Sequence, residues 1–103
     1  MYVIEITKPA EHDMRKAADY IAGELQNPTA ALSLLDDVAE LIYSLETMPL
    51  RYALADDAVL AIRGIRVLPV HNYLMFYAVR EEKKTVVIER FLYGRRDWLG
   101  ILK

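Results

Sequence analysis

The chain has 103 residues, no cysteine, 54% hydrophobic and 27% charged side chains, and a formal net charge of −2. That length suits one domain around one core, and the missing thiols exclude disulfides, thiol nucleophiles and thiolate metal sites. The longest apolar run, residues 73–79, falls far short of the ~20 residues of a membrane span, and the N-terminus lacks the basic-then-apolar order of a secretion signal, so a cytoplasmic protein with no membrane role is expected.

Residues 2–6, YVIEI, are β-branched and apolar, and they stop at Thr7-Lys8-Pro9, where Thr caps a helix and Pro fits its first turn. Ala10, Met14, Ala17, Ala18, Ile21 and Leu25 then recur at helical spacing, with Glu11, Asp13, Arg15, Lys16, Asp19 and Glu24 assigned to the polar face. This predicts an amphipathic helix ending near Gln26. Asn27-Pro28 is both a stop and a new start, and Ala31, Leu34, Leu35, Val38, Leu41, Ile42 and Leu45 make a second stripe that closes at Met48-Pro49. So short a joint folds the two helices back as an antiparallel hairpin.

After a polar connection at 51–57 the pattern turns strand-like. Residues 59–68, 72–79 and 85–93 predict three strands of an antiparallel meander, separated by short connections. The expected fold is α+β: an N-terminal strand, the helical hairpin on one sheet face, the meander, and a short C-terminal tail.

The sheet face away from the hairpin is expected to be open and to carry any chemistry. Arg63 and Arg66 differ by an odd number, which puts them on opposite faces of a regular strand unless Gly64 marks a bulge. Parity places Arg90 with Val86, Ile88 and Leu92, Tyr93 with Val87 and Phe91, and Tyr73 with Tyr77 opposite Leu74 and Phe76. His71 is the sole imidazole near the sheet; it suits a general base, although a lone turn histidine is more often a surface or hydrogen-bonding residue. Arg95-Arg96 reads either as a solvated or Asp97-paired cluster or as an anion anchor, and Trp98 as a residue pinning the tail to the sheet edge.

Charge is segregated along the chain: residues 1–50 hold three Lys/Arg against nine Asp/Glu, and residues 51–103 hold ten against six. If these halves form different faces, one is basic and suits an anionic partner. His12-Asp13 are adjacent and cannot share an ion on a helix, and no Gly-rich phosphate loop occurs, so no metal and no cofactor is expected.

The order of elements, with GIRVLPVHNYLMFYAV (64–79) and VVIERFLYGRRDW (86–98), resembles the RelE/ParE superfamily, the toxins of bacterial type II toxin–antitoxin modules, including plasmid stabilisation proteins. The resemblance spans essentially the whole chain; R-x-L-P-V-x-N-Y-x-x-F-Y (66–77) and Y-G-R-R-D (93–97) carry it most specifically. It implies growth inhibition, a cognate antitoxin as partner, and a possible homodimer or toxin–antitoxin heterotetramer. Two targets follow from it. RelE-like toxins enter the ribosome and cut messenger RNA with basic residues plus a C-terminal Tyr, or a His with a Glu; ParE-like toxins lack these groups and inhibit DNA gyrase.

Carried over residue by residue, Arg95 falls where a phosphate-stabilising arginine is expected, and Arg63 or Arg66 corresponds to a basic residue on an earlier strand. Arg90 is a further phosphate candidate, with His71 or Tyr93 as proton carrier. A fixed donor on the phosphate is worth about 3–4 kcal/mol of barrier. Two departures favour the ParE-like side: Ile101 stands where the C-terminal Tyr belongs, and Asp56-Asp57 replace a lysine-rich connection and repel RNA. Gyrase inhibition is therefore the preferred expectation, with the ribosome-dependent endoribonuclease as alternative and a non-toxic binding module as a further one. Whether the chain is an enzyme is left open.

Overall fold

The computed structural model describes residues 1–102. Strand β1 (Val3–Ile6) leads into helix α1 (Lys8–Asp19), which widens into a π turn over Tyr20–Glu24. The Thr7 hydroxyl oxygen caps α1 by accepting from Ala10 N (3.1 Å), and the same hydroxyl donates to Glu89 O (2.9 Å), so the helix start is also tied to the sheet. Gln26, at φ +50°, turns the chain, and Asn27 caps α2 (Pro28–Ser44) by accepting from Ala30 N at 3.1 Å. The hairpin is the one the sequence predicts.

Next come α3 (Ala58–Ile62), β2 (Ile65–Val70), β3 (Tyr73–Arg80), β4 (Thr85–Tyr93) and α4 (Trp98–Leu102). The sheet order is β1-β4-β3-β2, with an antiparallel meander and β1 parallel to β4. The α+β class and the hairpin-plus-meander topology are as expected. A core of Ala10, Ala17, Leu34, Val38 and Leu45 meets Leu68, Val70, Met75, Tyr77, Val86, Ile88 and Phe91 of the sheet. Tyr77 is fully buried and spends its only side-chain donor on Pro49 O at 2.9 Å.

Three expectations change. Residues 58–62 are helical rather than the start of a strand, because the Asp57 carboxylate accepts from Val59 N (3.0 Å) and Leu60 N (3.1 Å) and caps a turn that Gly64, at φ +76°, ends. A short unbroken apolar run such as AVLAI is compatible with either state, and the cap decides. Gly64 is thus no bulge, and Arg63 is the helix C-cap rather than a strand residue.

The irregularity lies on β4 instead. Phe76 pairs with Arg90 but Tyr77 pairs with Ile88, leaving Glu89 as the extra residue. Side-chain parity flips there: Phe91 joins Val86 and Ile88 in the hairpin core, and Leu92 goes to the opposite face.

That opposite face is not open. Leu60, Ile65, Phe76, Ala78 and Leu92 form a second small core, and the C-terminal tail folds over it as α4. Trp98 lies on the sheet face rather than at its edge, its ring centroid 5.2 Å from that of Phe76. Arg63 Nη1 donates to Leu102 O at 2.8 Å and latches the helix down.

Candidate functional site

A groove of about 640 Å³ opens where the end of the hairpin meets the β2–β3 turn and the chain leaving β4. Its rim is made by Lys16 and Tyr20 of the first helical segment, His71 at the turn, Tyr93 at the end of the last strand and Arg96 just after it. The π turn places Tyr20 and Ile21 on this wall, and Tyr20 remains exposed. Tyr73 forms the floor, stacked on Phe91 (4.9 Å, 8°) and edge-on to Tyr93 (5.6 Å, 73°). Burial first, then the neighbouring Tyr20 and Tyr93, pushes the Tyr73 phenol above its ordinary value, so it stays a neutral hydroxyl.

Beneath the groove lies Asp13. It sits in phase with Ala10 and Ala17 on the buried side of α1, not on the polar face. Its Oδ2 accepts from Arg90 Nε (2.7 Å) and Phe91 N (3.0 Å), and its Oδ1 accepts from Arg90 Nη2 (2.9 Å). This fork holds the β4 bulge shut and, chiefly through the hydrogen bonds, pushes the Arg90 guanidinium above its ordinary value.

The other candidates are dispersed. Arg66 Nη1 donates to Tyr52 O (2.7 Å) on the hairpin side of β2, and Arg63 holds Leu102 on the second core. His71, strained at φ +55°, lies 2.6 Å from Asp37 of α2 through Nε2 and Oδ2. That contact ties the β2–β3 turn to the hairpin.

Arg95 and Arg96 are exposed and make no ion pair among the described residues. Asp97 does not neutralise them; its Oδ1 accepts from Gly100 N at 3.3 Å. The turn that carries them is set by Gly94, whose N donates to Asn72 O at 2.8 Å. A Cβ at Gly94 would stand 3.2 Å from that oxygen.

Of the six sequence candidates, then, His71 and Tyr93 share the groove; Arg90 lies below it, Arg95 lies beside it, and Arg63 and Arg66 lie elsewhere. Sequence reasoning missed Lys16, Tyr20 and Asp37, and it misplaced Asp13. A signal for Asp13 existed: a carboxylate three residues from Ala10 and four from Ala17 falls on the apolar stripe, where a charge needs a partner.

Chemically, the groove offers two cations without carboxylate partners above an aromatic floor, which suits an anionic segment with apolar side chains. It does not gather guanidinium groups around one point, as a transferring phosphate requires. Among the described residues no three His, Asp or Glu side chains converge as a metal ion needs.

A leading strand, a helical hairpin and an antiparallel meander closed by a terminal turn of helix define the RelE/ParE class of scaffold. The family model for the ParE toxin of type II toxin–antitoxin systems matches residues 4–98, and the chain belongs to that family. Among solved structures it is similar to the chromosomal ParDE toxin–antitoxin system from P. aeruginosa, with 22% identity, coverage of 90% of this chain and 96% of the other, and a TM-score of 0.72. It is also similar to the RelBE2 toxin–antitoxin complex from Mycobacterium tuberculosis, with 22% identity, 89% and 96% coverage and a TM-score of 0.62. The intact E. coli RelBE complex gives 16% identity, 93% and 100% coverage and a TM-score of 0.56. At these identities the likeness to solved structures is one of fold. A search of curated proteins finds no match.

Proposed function

We propose that this ParE-family toxin arrests bacterial growth by inhibiting DNA gyrase and is neutralised by a cognate antitoxin, whose acidic segment enters the groove. The observation that carries the reading is the dispersal of the arginines: Arg63, Arg66 and Arg90 are each committed to a different structural contact, on Leu102, Tyr52 and Asp13. Ile101, where a RelE-like enzyme has its terminal Tyr, packs against the second core and transfers no proton. Lost acid–base help of that kind is worth about 10²–10⁴ in rate. Support for the antitoxin comes from the complexes above, which are toxin–antitoxin assemblies, and from the free Lys16 and Arg96 at the rim. A gyrase inhibitor acts in the cytoplasm, so the reading includes a cytoplasmic location; separately, among the described residues no helix is long and apolar enough to cross a membrane.

Purified toxin added to a gyrase supercoiling assay is expected to block supercoiling, and induction in cells to cause SOS response and filamentation. Undiminished supercoiling at toxin concentrations that stop growth overturns the reading. One observation favours the endoribonuclease instead: His71, Tyr93 and Arg96 share one groove. That version requires breaks within A-site codons by primer extension, abolished in His71→Ala or Arg96→Ala.

A further inference from the structure

Helix α2 carries a second surface that neither the core nor the groove uses. Leu32, Leu35, Ala39 and Tyr43 follow one another at intervals of three and four, within about 80° of arc on a helix that turns ~100° per residue. Leu32 is 64% exposed, Leu35 38% and Tyr43 70%, while Ala31, Leu34 and Val38 on the inner side are buried. The groove draws on α2 only through Ala30 and Leu34, so this stripe lies outside it. It amounts to on the order of a few hundred Å² of apolar surface, the size of the largest patch on a typical monomer, which is often functional.

Its border is acidic. Asp36 and Glu40 lie along its solvent side, opposite the core side, are exposed, and make no ion pair among the described residues. Pro28–Ser44 contains no Lys or Arg at all. We propose that this stripe docks an amphipathic helix of a partner protein, with apolar residues at matching helical intervals and Lys or Arg beside them.

The charges select this occupant over the others. A second copy pairing α2 against α2 about a twofold axis brings Asp36 and Glu40 of one chain against the same carboxylates of the other, since the axis passes near the middle of the stripe. Nucleic acid and anionic lipid are repelled for the same reason. An acidic segment of the kind the groove suits is repelled as well. The molecule thus has two docking surfaces of opposite electrostatic demand, and the one on α2 does not depend on the gyrase reading.

The test uses a fluorescein-labelled 15-residue helical peptide with Leu at i, i+3, i+7 and i+11 and Lys on both flanks, and a twin with Glu for Lys, followed by fluorescence anisotropy against the full chain. Saturable binding of the Lys peptide is expected, with the Glu twin at least about tenfold weaker. Leu32→Ser and Tyr43→Ser should each weaken binding about fivefold or more, Asp36→Asn with Glu40→Gln should remove most of the salt dependence, and Ile62→Ser, an exposed apolar position on α3, should change nothing. These positions are exposed, so the variants keep the wild-type melting temperature. The proposal is overturned by equal binding of the two peptides, by no binding of the Lys peptide up to about 1 mM, or by stripe variants that bind like wild type. It also fails if Ile62→Ser weakens binding as much as Tyr43→Ser, or if sedimentation reveals a dimer that Tyr43→Ser dissociates.

Discussion

Replacing Asp13 by Ala probes the joint on which both the β4 bulge and the groove floor rest. The carboxylate side chain is 7% exposed and accepts three hydrogen bonds, two from a guanidinium that is itself only 25% exposed. Removing it strands a half-sheltered cation and leaves Phe91 N–H, which is buried, without an acceptor. Breaking a buried pair from one side costs about 3–5 kcal/mol, and an orphaned buried donor about 1–3 kcal/mol. The two overlap here, and the quarter exposure of Arg90 lets water recover part, so a loss of about 3–4 kcal/mol is expected. A domain with 5–15 kcal/mol in total keeps its fold but loses much of its margin.

Urea unfolding followed by far-UV circular dichroism measures this loss. With a slope of about 1.5 kcal/mol per molar, the midpoint should fall by roughly 2 M at unchanged slope. Arg90→Met combined with Asp13→Leu should recover a large share of the loss, because the cost lies in leaving one partner charged and buried. A midpoint drop in Asp13→Ala no larger than that of the exposed Asp36→Ala would refute the reasoning.

Leu60 is fully buried and Ile62 is 87% exposed, so Leu60→Ala should cost about 2–4 kcal/mol and Ile62→Ser less than about 0.5 in the same urea assay. A strand over 59–68 would put both on one face and make the two costs similar. Gly64→Ala, at φ +76°, should cost about 1–2 kcal/mol by thermal melting, and a neutral result would deny the left-handed stop after α3. Burial raises the Tyr77 phenol above its ordinary 10.0, so the folded state holds that proton more tightly than the unfolded chain. The resulting stability is complete below pH 10.0 and is lost as pH rises through the folded value; Tyr77→Phe should flatten this alkaline decline in pH-dependent melts. Lys16→Ala with Arg96→Ala should leave the melting temperature unchanged and weaken capture of the cognate antitoxin's acidic segment about tenfold by calorimetry.

Local chemistry explains why the hairpin could be read in advance. Thr7 and Asn27 are caps with prolines behind them, and the stripes of α1 and α2 hold a 3.6-residue period long enough to outweigh any single ambiguous position. The meander was legible for a similar reason, since β3 and β4 are β-branched and aromatic runs bounded by charged or turn-forming residues. The AVLAI segment had neither length nor period, and its state depended on one carboxylate cap and one positive-φ glycine.

The site was less legible because its members come together only through long-range pairing. Parity along β4 predicts the faces of Arg90 and Leu92 only if the strand is regular, and the extra residue Glu89 reverses the count. The bulge is held by a carboxylate 77 residues away along the chain, a dependence no local pattern contains.

From its sequence alone the chain was determined to have an α+β fold with capped helices, an apolar period for each long helix, and Arg95-Arg96 placed just after the last strand. Only the tertiary structure decided that the far sheet face is covered by α4, that four of the arginines go to separate places, and that Lys16, Tyr20, His71, Tyr93 and Arg96 form one groove. Caps and periodicity act over a few residues and can be counted along the chain. Faces and ion pairs depend on register between distant strands, where one inserted residue inverts everything beyond it.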